Sequence, residues 1–223
     1  TGVRSDVKTL CALAKQHGCL SIVDSVTGLA GVELEVDAWQ ADVTYSGSQK
    51  CLSAPPGISL ITFSDAAADR VRARNKPVQS WFLDLSLLMA YWEGDGGRTY
   101  HHTAPVNAIY GLHEALLMVK EEGLENSWNK HRAMHEQLVS SLGAIGLEFV
   151  VDASYRLPQL NLVQVPDGVD EAAVRKRLLN EYNLEIGAGL GAFAGKVWRI
   201  GLMGYSARKE NVQLCASALG AVL

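Results

Sequence analysis

The first stretch of the chain has the apolar spacing of an amphipathic helix. The residues that recur there at helical spacing are Val3, Val7, Leu10, Leu13 and Ala14. This periodicity predicts a surface helix over residues 4–17, with Gly18 as its C-cap. The apolar run "CLSIVDS" that follows predicts a buried strand leading into a glycine-containing loop, "TGLAGVE". A helix, a strand and a loop in this order indicate an α/β unit.

Two more strands and three more helices are predicted in the next part of the chain. The segments "VTYSGS" and "GISLITF" have the composition of strands. In "SDAAADRVRARNK", Ser64 can cap a helix whose acidic residues come early and whose basic residues come late. A polar, glycine-rich joint, "EGDGGRTYHHTAP", then leads to helices predicted at about residues 105–121 and 124–142, and Gly123 separates them.

The C-terminal part of the chain mixes short strands with helices. The predicted strands are "LEFV", "PQLNLVQV", "LEIGAG" and "VWRIGLM", and the predicted helices lie near residues 170–181 and from about residue 207. We therefore predict an α/β fold in two parts. Residues 1–122 are expected to be the C-terminal part of a large α/β domain, and residues 123–223 a smaller α+β domain.

Composition narrows the class of protein. With 48% apolar residues, 20% charged residues and a net charge of −4, the chain is that of an ordinary globular protein without a basic face for nucleic acid. Its apolar runs, such as "SLLMAYW", are shorter than the roughly 18 residues that cross a membrane. The cysteines form neither a Cys-x-x-Cys motif nor a dense disulfide framework. We expect a cytoplasmic protein, with peroxisomes or mitochondria as alternatives in a eukaryote.

Two residues with chemical functions follow predicted strands. Asp24 ends "SIVD", and Lys50 lies on the turn between "VTYSGS" and "GISLITF". Because ligands bind at the carboxyl ends of the strands in α/β sheets, both side chains can reach one crevice. An amine and an acid there suit pyridoxal phosphate, whose aldehyde forms a Schiff base with lysine and whose ring nitrogen an aspartate keeps protonated. A solvated lysine and a turn aspartate are the simpler alternative, and their spacing leaves it open.

Arg199 is a third candidate, because it lies inside an otherwise apolar predicted strand between Trp198 and Ile200. An unpaired guanidinium is costly at such a position. Its planar fork suits a substrate carboxylate. An internal salt bridge with a nearby acid is an equal alternative.

Several blocks, taken together, resemble a known family. They are "VDSVTGLAGVELEVDAWQADVTYSGSQKCLSAPPG", "YHHTAPV", "GLENSWNKHR" and "KVWRIGLMGYSARKENV", and they occur in order across essentially the whole chain. They are similar to the alanine–glyoxylate and serine–pyruvate (serine–glyoxylate) aminotransferases, which are class V, fold-type I pyridoxal-phosphate enzymes. The resemblance implies transfer of an amino group from alanine or serine to glyoxylate or pyruvate.

The resemblance also implies a role for individual residues around the cofactor. Lys50 of "SGSQK" corresponds to the lysine that carries pyridoxal phosphate, and Gln49 to a ligand of the cofactor phosphate. Asp24 corresponds to the acid that faces the pyridine nitrogen.

The remaining implied roles concern the substrate and the partner subunit. Arg199 corresponds to the arginine that holds the α-carboxylate of the substrate. Tyr100 and Thr103 of "YHHT" correspond to residues that reach across a homodimer to the phosphate of the partner. Family members also carry a segment ahead of this match, with the phosphate loop and the aromatic residue that stacks on the pyridine. Since the sequence starts at Thr1 inside a family block, we expect it to be N-terminally truncated.

Two alternatives to this function remain. One is a non-catalytic chain or interaction module that keeps the motifs without an assembled site. The other is a different class V enzyme such as a cysteine desulfurase, which uses a thiolate from a loop well downstream of the lysine. Cys51 is instead the immediate neighbour of Lys50, and Cys215 lies on a helical pattern, so we expect both to be small buried apolar residues.

The adjacent histidines His101 and His102 could suggest a metal site. On an extended segment, neighbouring side chains point to opposite sides, so the two are not expected to chelate one ion. We predict structural or interface roles for them and no bound metal.

Overall fold

The computed structural model describes residues 1–93 and 99–223, with the backbone alone at residues 92 and 93. Residues 94–98, which belong to the predicted joint "EGDGGRTYHHTAP", lie outside the described residues. Within the described part, none of the helices combines the length and apolar character needed to cross a membrane.

A three-stranded sheet is the scaffold of the first part of the chain. Its strands are β1 (Ile22–Asp24), β2 (Val43–Gly47) and β3 (Ser59–Phe63), in the order β1-β2-β3. β1 is parallel to β2, and β3 is antiparallel to β2. All three correspond to predicted strands. Because β1 and β2 are parallel, Asp24 and the turn that carries Lys50 lie at the same edge of the sheet.

Two capped helices flank this sheet in sequence. Helix α1 (Val7–Gln16) begins where the Asp6 carboxylate accepts a hydrogen bond from the Thr9 backbone N–H at 3.1 Å. Its start was predicted three residues too early, because the backbone N–H of Arg4 bonds instead to the carbonyl oxygen of Tyr155 at 2.7 Å. Helix α2 (Asp65–Arg72) has the predicted Ser64 cap, which accepts from the Ala67 backbone N–H at 3.2 Å.

The next segment contains a helix that the apolar spacing did not predict. A short 3-10 turn (Trp81–Leu83) leads into α3 (Leu85–Glu93). Helices α4 (Val106–Glu122) and α5 (Leu124–Gly143) follow and agree with the prediction. They meet at Gly123, whose φ of +84° is accessible mainly to glycine.

The second sheet is antiparallel and contains β4 (Leu160–Gln164), β5 (Gly187–Ala188) and β6 (Val197–Gly201), in the order β4-β6-β5. Helices α6 (Glu171–Tyr182) and α7 (Lys209–Val222) complete this part. The predicted strand "LEFV" is wrong: only an isolated bridge between Phe149 and Val163 forms there. A strand requires consecutive paired residues, and the pairing of this segment with β4 is limited to that bridge.

The main hydrophobic core packs α5, α6 and α7 against the second sheet. Its residues with no exposed surface are Leu138, Leu142, Val163, Leu178, Trp198, Val212, Ala218 and Leu219. The start of the chain reaches this region, since the Leu157 backbone N–H donates to the carbonyl oxygen of Gly2 at 2.8 Å. The mixed α/β architecture agrees with the prediction, whereas the division into residues 1–122 and 123–223 stays a prediction.

Candidate active site

Lys50 lies on a tightly held turn directly after β2. The Ser53 backbone N–H donates to the carbonyl oxygen of Lys50 at 2.9 Å, and the Ala54 N–H to that of Ser48 at 3.0 Å. The Ser48 hydroxyl is fully buried and donates to the carbonyl oxygen of Pro55 at 2.6 Å. The Lys50 side chain is half-buried, and its ammonium forms no hydrogen bond or ion pair with the backbone and side chains that the structure describes. A positioned amine without a competing partner is suited to covalent chemistry.

A cavity of about 370 Å³ opens beside this amine. It lies between the Lys50 turn and a second turn that follows β6, and its main lining side chains are Gln49, Lys50, Ser53, Met203, Tyr205 and Ser206. Both Gln49 and Lys50 therefore face one cavity, and their roles toward a cofactor stay predictions. The exposed amide of Gln49 is available to an anion in this cavity.

Asp24 lies at the end of β1, exposed, with its carboxylate accepting the Val26 backbone N–H at 2.9 Å. It is paired in register with Tyr45 on β2. A hydrogen bond to the Asp24 carboxylate raises the pKa of the Tyr45 hydroxyl. Asp24 lines a second cavity of about 720 Å³, which shares no lining residue with the Lys50 cavity. The two predicted site residues thus share a sheet edge and line separate cavities.

Arg199 lies on β6, half-buried, and its Nε donates to the carbonyl oxygen of Ala188 at 2.6 Å. The alternative of an internal salt bridge is not realised, because no acid pairs with Arg199 in the part of the chain that the structure describes. The neighbouring strand contributes Gly187 at the paired position. The terminal nitrogens of the guanidinium are therefore free to bind a carboxylate.

Tyr100 and Thr103 form a pair of exposed hydroxyls. Their oxygen atoms lie 2.6 Å apart, within hydrogen-bond distance, and Tyr100 exposes 66% of its surface. Neither residue lines the Lys50 cavity of its own chain. The structure thus brings these two residues together and places them outside the lining of the cavity beside their own Lys50.

The expected orientation of the two histidines is wrong. The Nδ1 atoms of His101 and His102 lie 2.8 Å apart, so the rings meet instead of pointing to opposite sides. The segment is not an extended strand, and strand alternation does not apply to it. His101 stacks on Trp81 with ring centroids 4.0 Å apart, and its Nε2 lies 3.0 Å from the carbonyl oxygen of Trp81. These contacts are those of a residue that anchors the segment to the 3-10 turn.

Both cysteines that bear on the desulfurase alternative are buried. Burial raises the pKa of the Cys51 thiol to about 11, and that of Cys215 to about 12. The Cys51 thiol lies 3.4 Å from the carbonyl oxygen of Thr27, to which it donates. Thiols with such pKa values are protonated and unreactive near neutral pH, which agrees with the expected role as small apolar residues.

Two side chains that the sequence did not indicate, those of Ser53 and His131, hold the backbone of the turn that forms one wall of the Lys50 cavity. The Ser53 hydroxyl accepts a hydrogen bond from the Tyr205 backbone N–H at 2.8 Å, and it holds the two cavity walls together. His131 on α5 accepts from the Gly204 backbone N–H at 2.9 Å. The one local signal for these contacts is the "MGYS" turn immediately after a predicted strand.

The fold is that of a fold-type I pyridoxal-phosphate enzyme. More narrowly, the family described as aminotransferase class-V matches residues 1–214, and the chain belongs to this family. The resemblance noted in the sequence is thereby confirmed at the level of the family, its fold and its cofactor class.

Known relatives support the same family. Alanine–glyoxylate aminotransferase of Callithrix jacchus is 44% identical over 221 residues, which are 98% of this chain and 53% of that protein. The crystal structure of alanine–glyoxylate aminotransferase from Nostoc sp. has a TM-score of 0.95 at 47% identity, over all of this chain and 58% of that one. Ureidoglycine–glyoxylate aminotransferase from Bacillus subtilis has a TM-score of 0.96 at 40% identity, over all of this chain and 57% of that one. The chain spans a little more than half the length of these relatives.

Proposed function

We propose that the chain carries the lysine-bearing part of an aminotransferase that moves an amino group from a small amino acid, alanine or serine, to glyoxylate or pyruvate. The observation that carries the proposal is the unpartnered Lys50 amine beside Gln49 in a cavity at the carboxyl edge of the first sheet. The relatives named for glyoxylate support the choice of acceptor.

The residues at this edge fit pyridoxal phosphate. Lys50 offers a free amine for the aldehyde, the exposed Gln49 amide can donate to the phosphate, and the Asp24 carboxylate lies at the end of the adjacent parallel strand. When bound, the cofactor supplies an electron-withdrawing ring that stabilises negative charge at the substrate's Cα. Asp24 would hold the pyridine nitrogen in its protonated form, which strengthens this withdrawal.

Two side chains of this chain would carry out proton transfer and substrate binding, those of Lys50 and Arg199. The Lys50 amine would take the proton from Cα of the amino donor and, in the second half of the reaction, supply a proton to Cα of the amino acid formed from the acceptor, a role for which arginine is too basic. The free nitrogens of Arg199 hold the α-carboxylate and so orient the Cα–H bond toward the base.

We also propose a homodimer in which Tyr100 and Thr103 of one subunit bind the phosphate held near Lys50 of the other. The adjacent, exposed hydroxyls support this role, because one hydroxyl donates to the other at 2.6 Å and the second O–H is left to donate to an anion. We also keep as a proposal the division of the chain into the C-terminal part of a large domain, residues 1–122, and a small domain, residues 123–223. The four free cysteines support a reducing location such as the cytoplasm.

The test is a product assay with the full-length protein. Incubation with alanine and glyoxylate should yield pyruvate and glycine in equal amounts, and Lys50→Ala should abolish both products. Sulfide from cysteine, without keto acid, would indicate a desulfurase. A folded protein that turns over neither substrate set would identify a non-catalytic chain.

A further inference from the structure

His131 is a fully buried histidine that bridges distant parts of the chain. It lies on α5, one turn after Ser127, and its side chain has no exposed surface. Its Nδ1 lies 2.7 Å from the carbonyl oxygen of Ser127, and its Nε2 lies 2.9 Å from the backbone nitrogen of Gly204. The Ser127 hydroxyl in turn donates to the carbonyl oxygen of Ala30 at 2.7 Å. One turn of α5 therefore fixes a loop after β1 and the turn after β6.

The two partners of His131 determine its protonation. A carbonyl oxygen can only accept, so Nδ1 carries the proton, and a backbone N–H can only donate, so Nε2 carries none. The ring is thus neutral in one tautomer. A proton on Nε2 would face the Gly204 N–H and break that hydrogen bond.

Gly204 has no freedom to compensate for such a loss. Its φ of +54° favours glycine, and a Cβ would lie 2.0 Å from the Ser53 hydroxyl and 2.5 Å from the carbonyl oxygen of Cys51. The neighbouring residues Met203 and Tyr205 line the Lys50 cavity. The position of the Gly204 backbone therefore sets the wall that faces Lys50.

Among the residues that the structure describes, three titratable groups surround His131, those of Lys130, Glu122 and Cys51. Burial lowers the pKa of His131 below the usual 6.5 and outweighs the hydrogen bond to the Ser127 carbonyl oxygen, which raises it. Lys130 lowers this pKa and Glu122 on α4 raises it, both by smaller amounts. Lys130 and Glu122 form an ion pair at 2.5 Å, so their effects partly offset each other. Cys51, which packs against Gly204, is a neutral thiol because burial raises its pKa to about 11. These surroundings keep the ring neutral at the pH where the enzyme is expected to work.

We propose that His131 is a positioning residue, whose neutral ring holds the Gly204 turn as the wall of the Lys50 cavity and releases that turn when the ring is protonated. The consequence for catalysis rests on the proposed role of Lys50, whereas the consequence for the turn does not.

The experiment compares His131→Ala and His131→Gln in the full-length protein. Glutamine can place an acceptor oxygen near Nε2 and does not titrate, so it separates the hydrogen bond from the proton. The control is His135→Gln, which changes a histidine one turn later on α5 that bonds to Asn161 and not to Gly204. Hydrogen–deuterium exchange of a peptide covering residues 202–206 is measured at about pH 8 and about pH 4.5, the lower value being chosen because burial lowers the pKa of His131 below 6.5, and intrinsic rates are corrected.

We expect acidification to reduce protection of the wild-type turn by about ten-fold, as one lost hydrogen bond implies. His131→Ala should lack this protection at both pH values, His131→Gln should keep it at both, and His135→Gln should behave as wild type. Transaminase kcat/KM should follow the same order. If His131→Ala does not fold, the proposal is tested by whether acidification reduces the exchange protection of the wild-type turn and leaves that of His131→Gln unchanged.

The proposal is overturned if His131→Gln loses protection on acidification as the wild type does, or if His131→Ala keeps it. The two proposals fail separately. Exchange that follows the expected order in a protein without transaminase activity would refute the proposed function alone, and full activity with unchanged exchange would refute the role of His131 alone.

Discussion

Gly187 and Arg199 are paired on neighbouring antiparallel strands, and the guanidinium lies against the glycine. A Cβ atom on Gly187 would lie 3.4 Å from both Nε and Nη2 of Arg199. The same Nε is already bound to the carbonyl oxygen of Ala188 at 2.6 Å. The side chain of Arg199 therefore has little room to move away, and Gly187 provides the space that it occupies.

This contact predicts a substrate-binding defect for Gly187→Ala in the full-length protein. Because a Cβ 3.4 Å from both nitrogens lies at the limit of ordinary van der Waals contact, the added methyl group should crowd the guanidinium slightly and raise KM for the amino donor by about two- to three-fold, with a smaller change in kcat. The measurement is steady-state kinetics with alanine and glyoxylate. Gly143→Ala is the matched control, because a Cβ there meets no atom within 4 Å. An unchanged KM would show that Arg199 does not hold the substrate in this way.

The parts of the fold that the sequence predicted are those specified by local signals. The Ser64 side chain caps the helix that follows it, and serine is a common residue at this position. Gly123 separates two helices because its φ of +84° is unfavourable for other residues. By contrast, α3 was missed because "LSLLMAYWE" is apolar on nearly all sides and shows no helical periodicity. "LEFV" resembled a strand, but strand formation depends on the partner, and its pairing with β4 does not extend beyond the isolated bridge between Phe149 and Val163.

The candidate site divides in the same way. Lys50, Asp24 and Arg199 are candidates from sequence because a charged residue beside an apolar strand is conspicuous, and their roles stay predictions. The contacts of Ser53 and His131 could not be predicted, because they join residues 152 and 73 positions apart. His101 and His102 were assigned the wrong orientation, since strand alternation was applied to an irregular segment.

Lys50 should be the residue that carries the cofactor in the full-length protein. Reduction with borohydride in the presence of pyridoxal phosphate, followed by peptide mapping, is expected to label Lys50, because its amine has no competing partner among the described residues. Lys50→Arg is the charge-preserving control and should remain unlabelled at this position. Label on a different lysine in the wild-type protein would refute the assignment.

Asp24→Asn should slow the removal of the substrate's Cα proton by about two orders of magnitude or more, because a neutral amide cannot hold a pyridinium charge. Single-turnover absorbance measurements with alanine test this rate. The variant has a second readout in Tyr45, since the hydrogen bond to the Asp24 carboxylate raises the pKa of that phenol. Ultraviolet titration should show a phenol pKa that moves back toward 10.0 in the variant. An unchanged proton-removal rate would contradict the role of Asp24.

Stability should fall on mild acidification. Burial lowers the pKa of both His131 and His135 below 6.5 in the folded chain. As pH falls, the unfolded chain therefore binds protons first, and the free energy of unfolding decreases from about pH 6.5 down to the folded pKa values. Urea unfolding between about pH 8 and 5.5 avoids the titration of ordinary carboxylates near 4. His135→Gln should flatten the curve, and a wild-type stability that is constant over this range would contradict the prediction.

The shared site proposed for the homodimer predicts recovery of activity from two inactive variants. Lys50→Ala lacks the amine, and the double variant Tyr100→Phe with Thr103→Ala lacks the two hydroxyls that lie 2.6 Å apart. If the hydroxyls serve the partner's phosphate, a mixed dimer contains one site with both defects and one intact site. Random exchange of subunits at equal concentrations forms mixed dimers as about half of the population. About one quarter of the wild-type activity should then return.

The physical reason is that the two defects of a mixed dimer fall on the same site only when Tyr100 and Thr103 act across the interface. If they act within their own subunit, each site of the mixed dimer has one defect and both stay inactive. Differently tagged subunits allow mixed dimers to be isolated and assayed directly, and mixing before and after exchange provides the control. Purified mixed dimers without activity would place the two hydroxyls in the site of their own subunit.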